Sequence, residues 1–255
     1  MALFNDGLIS TAADLQRYEN AILSVASAER IDLGAKLTLA QQDLGNEILL
    51  FLFRRSSLRD YSTGLRRLKG VTDVVVTAPM QQWHIHKTLA LVYRDAYNNQ
   101  LNDRYQGKWA EYELLAKASA RTYFQIGVGL VADPVPKAAA PVLSSVAGTG
   151  AGETFYVAVT WVDASGQEGA PSDFVSLVTS DGQQLLVGVE AAPENVTSWN
   201  AYVGTSPRML SLQNEELLGT SSSWTMTSGL NSGAPLPAGQ QPTWFVVDHR
   251  VIERG

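Results

Sequence analysis

Between Trp83 and Tyr97 the apolar residues fall on two adjoining stripes of helical period. Ile85, Leu89, Val92 and Ala96 make one stripe; Trp83, His86, Ala90, Tyr93 and Tyr97 make the other. Only a narrow polar strip around Lys87, Arg94 and Asn98 is left. The pattern predicts a helix covered on more than one side, the central member of a small bundle. After a break at Leu101-Asn102-Asp103 a further helix carries Trp109, Tyr112, Ala116 and Tyr123 near one face, and Ala110, Ala118 and Ala120 are small enough for close helix approach. Upstream, Thr11 followed three residues later by Asp14 reads as a capped helix start, with Leu15, Tyr18, Ile22 and Val25 continuing at helical spacing as one helix. Another begins near Leu33 to Ala35 and runs through Leu37, Ala40, Leu44, Ile48 and Phe51/Leu52. Gly45 inside it costs about 1 kcal/mol relative to Ala if exposed. The β-branched run Val71–Thr77 predicts a short extended segment ended by Pro79. The first part of the chain therefore reads as four helices with one irregular insertion.

At Gly127 the composition turns to Gly, Pro and Ala, and the three prolines Pro134, Pro136 and Pro141 favour a semi-stiff extended connection. Beyond it the period changes to 2. Phe155, Val157, Val159 and Trp161 alternate with Thr154, Tyr156, Ala158 and Thr160, and Asp163-Ala164-Ser165-Gly166 makes a turn. Further strands are predicted at 174–179, 184–189, 198–203 and 222–226. Short strands at this spacing argue for a small β-sandwich. The fold class read from the chain is α+β multidomain: an N-terminal four-helix bundle-like domain over 1–126, a linker over 127–140, a small all-β immunoglobulin-like sandwich over 141–232, and a C-terminal tail over 233–255. In that tail Trp244, Phe245, Val246 and Val247 form an apolar cluster that either returns to the helical domain or inserts into a partner.

At 255 residues and 45% hydrophobic content, a buried core in each of two domains is within reach. With no cysteine, a disulfide framework and a thiolate metal site are both excluded, and the composition fits a reducing cytoplasm. The longest apolar run, Ile48–Phe53, is too short to span a bilayer, and the N-terminus has no basic region before an apolar core, so an unsecreted protein with no membrane partner is expected. The net charge of −6 hides an asymmetry: residues 1–137 hold 16 basic against 14 acidic side chains, and residues 138–232 hold one against nine. Arg54, Arg55, Arg59, Arg66, Arg67 and Lys69, against the single Asp60, put a local charge of +5 between Arg54 and Lys69.

No nucleophile elbow, zinc-binding His-Glu-x-x-His or carboxylate cage occurs. His84 and His86 flank Ile85, and on a helix they point about 200° apart, which rules out a shared ligand role. The glycine-rich Gly148–Thr154 lacks a lysine and leads into a strand, so it reads as a turn and not as a phosphate loop. Glu111/Glu113 and Glu215/Glu216 read as solvated charges. No enzymatic activity, metal or cofactor is expected. The basic stretch is the functional candidate: its arginines and Lys69 can neutralise DNA phosphates, meet a neighbouring subunit, or form a solvated loop.

The helical part resembles the head-to-tail connector (adaptor) proteins of tailed bacteriophages, through Asn5–Leu15, Trp83–Tyr97 and Tyr105–Tyr112. The second part resembles the fibronectin-type or immunoglobulin-like modules of phage structural proteins, through Thr154–Ser172 and Trp199–Thr205. The resemblance implies a homo-oligomeric ring, usually of twelve subunits, below the portal in the virion neck and assembled in the host cytoplasm. That ring would line a channel crossed by double-stranded DNA and meet the next neck or tail protein. Trp244, Phe245, Val246, Val247, His249 and Arg250 are then candidates for docking on the portal or a neighbour, and the acidic sandwich belongs on the ring's outside, away from DNA. The alternative reading is a surface-adhesion or glycan-binding module on a helical anchor, which needs Trp199, Tyr202 or Trp224 exposed as a sugar platform.

Overall fold

The computed structural model describes residues 1–56, 70–100, 103–227 and 229–247. Helices come first and antiparallel sheets follow, an α+β layout. Among the described residues the helices are α1 (Ala12–Tyr18), α2 (Ile22–Ala28), α3 (Leu33–Ser56), α4 (Ala78–Gln100) and α5 (Gln106–Ile126). The expected count of four thus becomes five, because the first predicted helix is two. Thr11 and Asp14 form the expected capping box, but at Glu19 the backbone is extended (φ −138°, ψ 95°) and α1 stops. Leu15 and Ile22 stay in phase across the break, which hides it from a periodicity reading. The break turns the Glu19 carboxylate toward α5, where it accepts from the Tyr112 hydroxyl and pairs with Lys108, each at 3.0 Å.

α4 is the central helix. Toward α3 it presents His84, whose Nε2 lies 2.9 Å from the Leu37 carbonyl, with Lys87 and Asp95 paired to Asp43 and Lys36. Toward α5 it presents His86, 2.8 Å from the Ser119 hydroxyl, Tyr93 stacked on Tyr112 at 5.6 Å, and Tyr97 on Trp109 at 5.8 Å. At about 100° per residue these two sets lie on nearly opposite sides of α4, so α3 and α5 flank it along most of its length and meet at one end, where the Phe51 and Phe124 rings lie 4.7 Å apart. Leu15, Ile22 and Val25 of α1 and α2 share a core with Ile85, Leu89, Val92 and Ala96, covering a third side. The segment Val71–Thr77, expected to be extended, opens instead as a 3-10 turn, Val71–Asp73, closed by the Gly70 amide donating to the Asp73 carboxylate at 2.9 Å, and is extended from Val74 on. Pairing starts only at Val74, which bridges Leu130.

The strands are β1 (Val128–Leu130), β2 (Val142–Ala147), β3 (Thr154–Asp163), β4 (Val175–Val178), β5 (Gln183–Gly188), β6 (Val196–Gly204), β7 (Ser211–Leu212), β8 (Leu218–Gly219), β9 (Trp224–Thr225) and β10 (Trp244–Val246). β2, β5 and β9 form one sheet, and β4, β3, β6 and β7 another, with β8 on β6. Phe155, Val157, Val159 and Trp161 of β3, Leu185 and Val187 of β5, and Trp199, Ala201 and Val203 of β6 share one apolar cluster. The Trp199 indole N–H donates to the Gly219 carbonyl at 3.0 Å, so this fully buried ring brings its polar atom a partner. The opposite face of β3 and β6 is covered too, with Ala158 and Tyr202 packed on Leu210.

The chain divides into two compact units, a sheet unit of Met1–Asp6 with Asp133–Gln241 and a helical unit of Gly7–Ala132 with Pro242–Gly255. The expected linker 127–140 is taken up by both: Val128–Leu130 is a strand of the helical unit, while Val135 and Ala138 are buried in the sheet unit's core. The first six residues also differ from expectation. Leu3 and Phe4 are buried, and Asp6 accepts from the Lys137 amide at 2.8 Å, which fixes them to the sheet unit.

Candidate functional site

Of the basic candidates, Arg54 lies exposed in the last turn of α3, and Arg55 follows it in the same turn. Arg59, Arg66, Arg67 and Lys69 lie outside the described residues. The sequence therefore brings the start of the +5 stretch to the C-terminal end of the 24-residue α3, where positive charge also suits the helix dipole.

The tail is placed on its own chain. β10 pairs antiparallel with β1, Trp244 opposite Leu130 and Val246 opposite Val128, and the Thr243 amide donates to the Leu130 carbonyl at 2.8 Å. His249 and Arg250 lie outside the described residues. Two glycines permit this seat. A Cβ on Gly129 would stand 2.9 Å from the Pro242 ring, and one on Gly127, whose φ is +113°, would stand 2.7 Å from the Val247 side chain. In the sequence these glycines read as linker, and the signal missed was a Gly-x-Gly inside a Val/Leu run. Trp244 and Phe245 remain 38% and 49% exposed, so the strand offers two aromatic rings on a sheet edge among the described residues.

The two histidines do structural work in different directions. His84 is fully buried between Ser10, whose hydroxyl is 2.6 Å from Nδ1, and the Leu37 carbonyl. A carbonyl only accepts, so Nε2 carries the proton and Nδ1 accepts from Ser10. Burial lowers the pKa of His84, opposed by its bond to Leu37; burial likewise lowers that of His86, opposed by the Leu115 carbonyl. His86 and Ser119 lie beside a small depression of about 190 Å³ with Pro79, Gln82 and Thr122. Their contact has the form of a base and a nucleophile, yet Ser119 sits mid-helix, where the backbone amides are committed to the helix and form no oxyanion hole.

A tyrosine and carboxylate network, absent from the sequence reading, ties the first two helices to the last two. Tyr105 donates to Glu29 at 2.9 Å and Tyr112 to Glu19 at 3.0 Å, with the Tyr93 ring against both tyrosines. Burial opposes the charge on Glu19, but hydrogen bonds from Lys108 and Tyr112 and the Lys108 charge outweigh it and hold its pKa below the usual carboxylate value. Burial and Glu19 together push the Tyr93 and Tyr112 hydroxyls well up. No local sequence signal marks this network, since its members lie up to 93 positions apart.

In the sheet unit the glycine-rich loop is committed to its own neighbours. The Gly148 amide donates to the Gly182 carbonyl at 2.8 Å and the Gly152 amide to the Asp181 carboxylate at 2.7 Å, so these donors are not presented to a phosphate. A shallow depression of about 380 Å³ is lined by Trp224, Glu215, Glu216, Gln213 and Asn214. The amides of Gln213 and Asn214 are spent on Ser211, Asn231, Asn200 and the Ala201 amide. Trp199 and Tyr202 are buried, and Trp224 is half-buried, so the three aromatics do not form a flat sugar platform. Glu111 pairs with Lys108 and Glu113 with Lys117 at the helix surface. Among the described residues no group of three His, Cys, Asp or Glu side chains is placed to hold a metal ion, and no helix is long and apolar enough to cross a membrane. No protein-family model and no curated protein matches this chain.

Proposed function

We propose that this chain is a non-enzymatic head-to-tail adaptor of the tailed-phage type, one subunit of a ring seated below the portal in the virion neck. The observation that carries this reading is the arrangement of the helical unit. α3 and α5 pack on different sides of α4 and meet at one end through Phe51 and Phe124, which leaves each an outward helix face by which copies can stack side by side and close into a ring. Arg54 at the end of α3 supports placing the basic stretch at the DNA channel, where non-specific phosphate neutralisation suffices. The half-exposed Trp244 and Phe245 support a portal or neighbour contact over β10. In finer fold terms, two antiparallel sheets sharing one core support an immunoglobulin- or fibronectin-like sandwich for the sheet unit. Its charge of −8 over residues 138–232 favours a position outside the channel.

The test is the mass of the full-length protein alone and mixed with portal rings, by native mass spectrometry or light scattering. A stable portal complex containing a ring of this chain is the expected result. A protein that stays monomeric and leaves the portal peak unchanged would refute it. Replacing Arg54, Arg55, Arg59, Arg66 and Arg67 with Ser should then leave rings intact and lower DNA retention. If both are unchanged, the channel assignment of the arginines fails.

A further inference from the structure

β1 is held along both of its edges. On one, Val74 bridges Leu130, the Val75 amide donates to the Gly129 carbonyl and the Val131 amide to the Asp73 carbonyl, each at 3.0 Å. On the other lies β10, a three-residue strand whose Trp244 and Phe245 stay half-exposed, whereas Val128, Leu130 and Val131 of the accepting segment are buried. A short strand at the surface opens at lower cost than the helices of its unit. Its lead is anchored separately: the buried Gln240 accepts from the Val135 amide at 2.7 Å and donates to the Asp133 carbonyl at 2.9 Å, so the lead is fixed in the sheet unit and the chain enters the helical unit at Pro242. The groove under β10 is selective. Gly129 leaves room for the Pro242 ring and the Phe245 side chain, and Gly127 for the Val247 side chain, room that a Cβ at either position would close. With β10 lifted, β1 presents buried apolar side chains, an unpaired backbone edge and two glycine notches shaped to one sequence.

We infer that β1 is a strand-accepting groove for the segment Pro242–Val247 of a second copy of this chain, so that copies held side by side trade β10. The occupant follows from the notches, because the segment that fills Gly127 and Gly129 here has the same sequence in every copy. Exchange rebuilds each β1–β10 contact between copies and alters only the junction at Gln241 and Pro242, which is the low-cost route to association. What opposes it is the chain's own strand, tethered at an effective concentration on the order of millimolar. Dilute protein therefore keeps its own β10, as in this structure, and crowded or ring-bound copies exchange. The inference deepens the neighbour contact proposed for β10 and rests on the adaptor reading only for what holds the copies together.

The chain contains no cysteine, so a disulfide reports the pairing directly. Opposed residues of antiparallel strands have Cα atoms about 4.5–5.5 Å apart, within the span of a disulfide. Full-length Leu130→Cys and Trp244→Cys proteins, whose positions face each other across the ladder, are mixed at about 1 mM and oxidised. The expected result is a covalent one-to-one dimer about tenfold or more above the yield of either variant alone. Excess synthetic peptide with the sequence of residues 242–247 should suppress it, and so should Gly129→Val added to the Leu130→Cys chain. Val128→Cys with Val246→Cys is a second pair, so a fold defect at one position, read by helical circular dichroism, does not decide the outcome. Mixtures of both pairs that yield no more than the single variants, or a dimer indifferent to peptide and to Gly129→Val, would overturn the exchange. Trp244→Cys dimers in excess of the mixed product would replace it with edge-to-edge pairing of β10. Portal capture without the mixed dimer sinks the exchange but not the adaptor reading; a mixed dimer without portal capture does the reverse.

Discussion

The buried Ser10–His84 pair is the sharpest test of how the first residues of the helical unit are held. Ser10 is 1% exposed and His84 fully buried, and their contact joins the lead into α1 to the central helix. Ser10→Ala leaves Nδ1 as an unsatisfied buried acceptor, at a cost of about 1–3 kcal/mol. His84→Phe keeps ring volume but strands the Ser10 hydroxyl; the Leu37 carbonyl retains its helical bond, so a similar cost of about 1–3 kcal/mol is expected. In the double variant neither group is stranded, and its loss should fall short of the sum by about 1–2 kcal/mol. Denaturant unfolding followed by far-ultraviolet circular dichroism reads this unit, because all five helices belong to it. The same variants carry a pH signature. The folded-state pKa of His84 is below the 6.5 of the unfolded chain, so the unfolded state takes up a proton first as pH falls. The stability that His84 contributes is present above pH 6.5 and is lost below it, and His86 acts in the same direction. His84→Phe should flatten that acid slope without abolishing it. Additive costs in the double variant, or an unchanged slope, would refute the assignment of tautomer and burial.

Three further outcomes follow from the packing. Glu19→Gln should cost about 1–2 kcal/mol at neutral pH, since it removes a charge held by Lys108 and Tyr112. Because the Glu19 pKa is lowered, its contribution is present above the ordinary carboxylate value of 4.5 and is lost as pH falls through the folded value, so the gap to wild type should close in acid; a constant gap would count against the ion pair. Gly129→Val should unseat β10, since its side chain would enter the space of Pro242, and limited chymotrypsin digestion should then cut at Trp244 or Phe245 while helix content is kept; an uncut tail would refute the seat. Tyr123→Phe should be neutral or stabilising by about 1 kcal/mol, because the Tyr123 hydroxyl is buried with no partner among the described residues; a loss above 1 kcal/mol in thermal unfolding would reveal a partner.

Local periodicity accounts for what could be read from the chain before its fold was known. The two stripes of α4, the cap of α1, the break before α5 and the alternation of β3 are each encoded within a dozen residues, where side-chain direction is set by the backbone period. The opposed directions of His84 and His86 were legible for the same reason. The helix break at Glu19 was not, because the apolar phase continues through it and the partners that hold it open are Lys108 and Tyr112. β2 was hidden by Ser144 and Ser145 at exposed positions of a strand whose pairing partner, β5, lies some forty residues on. Among the candidate sites, the basic run and the apolar tail were visible as composition, but only tertiary structure decided that the tail lies on β1 over Gly127 and Gly129. The same holds for the surroundings of α4. Its stripes mark which residues are buried, yet that His84 meets Ser10 and Leu37 while Tyr93 meets Tyr112 depends on packing between residues far apart in the chain, and no local pattern contains that information.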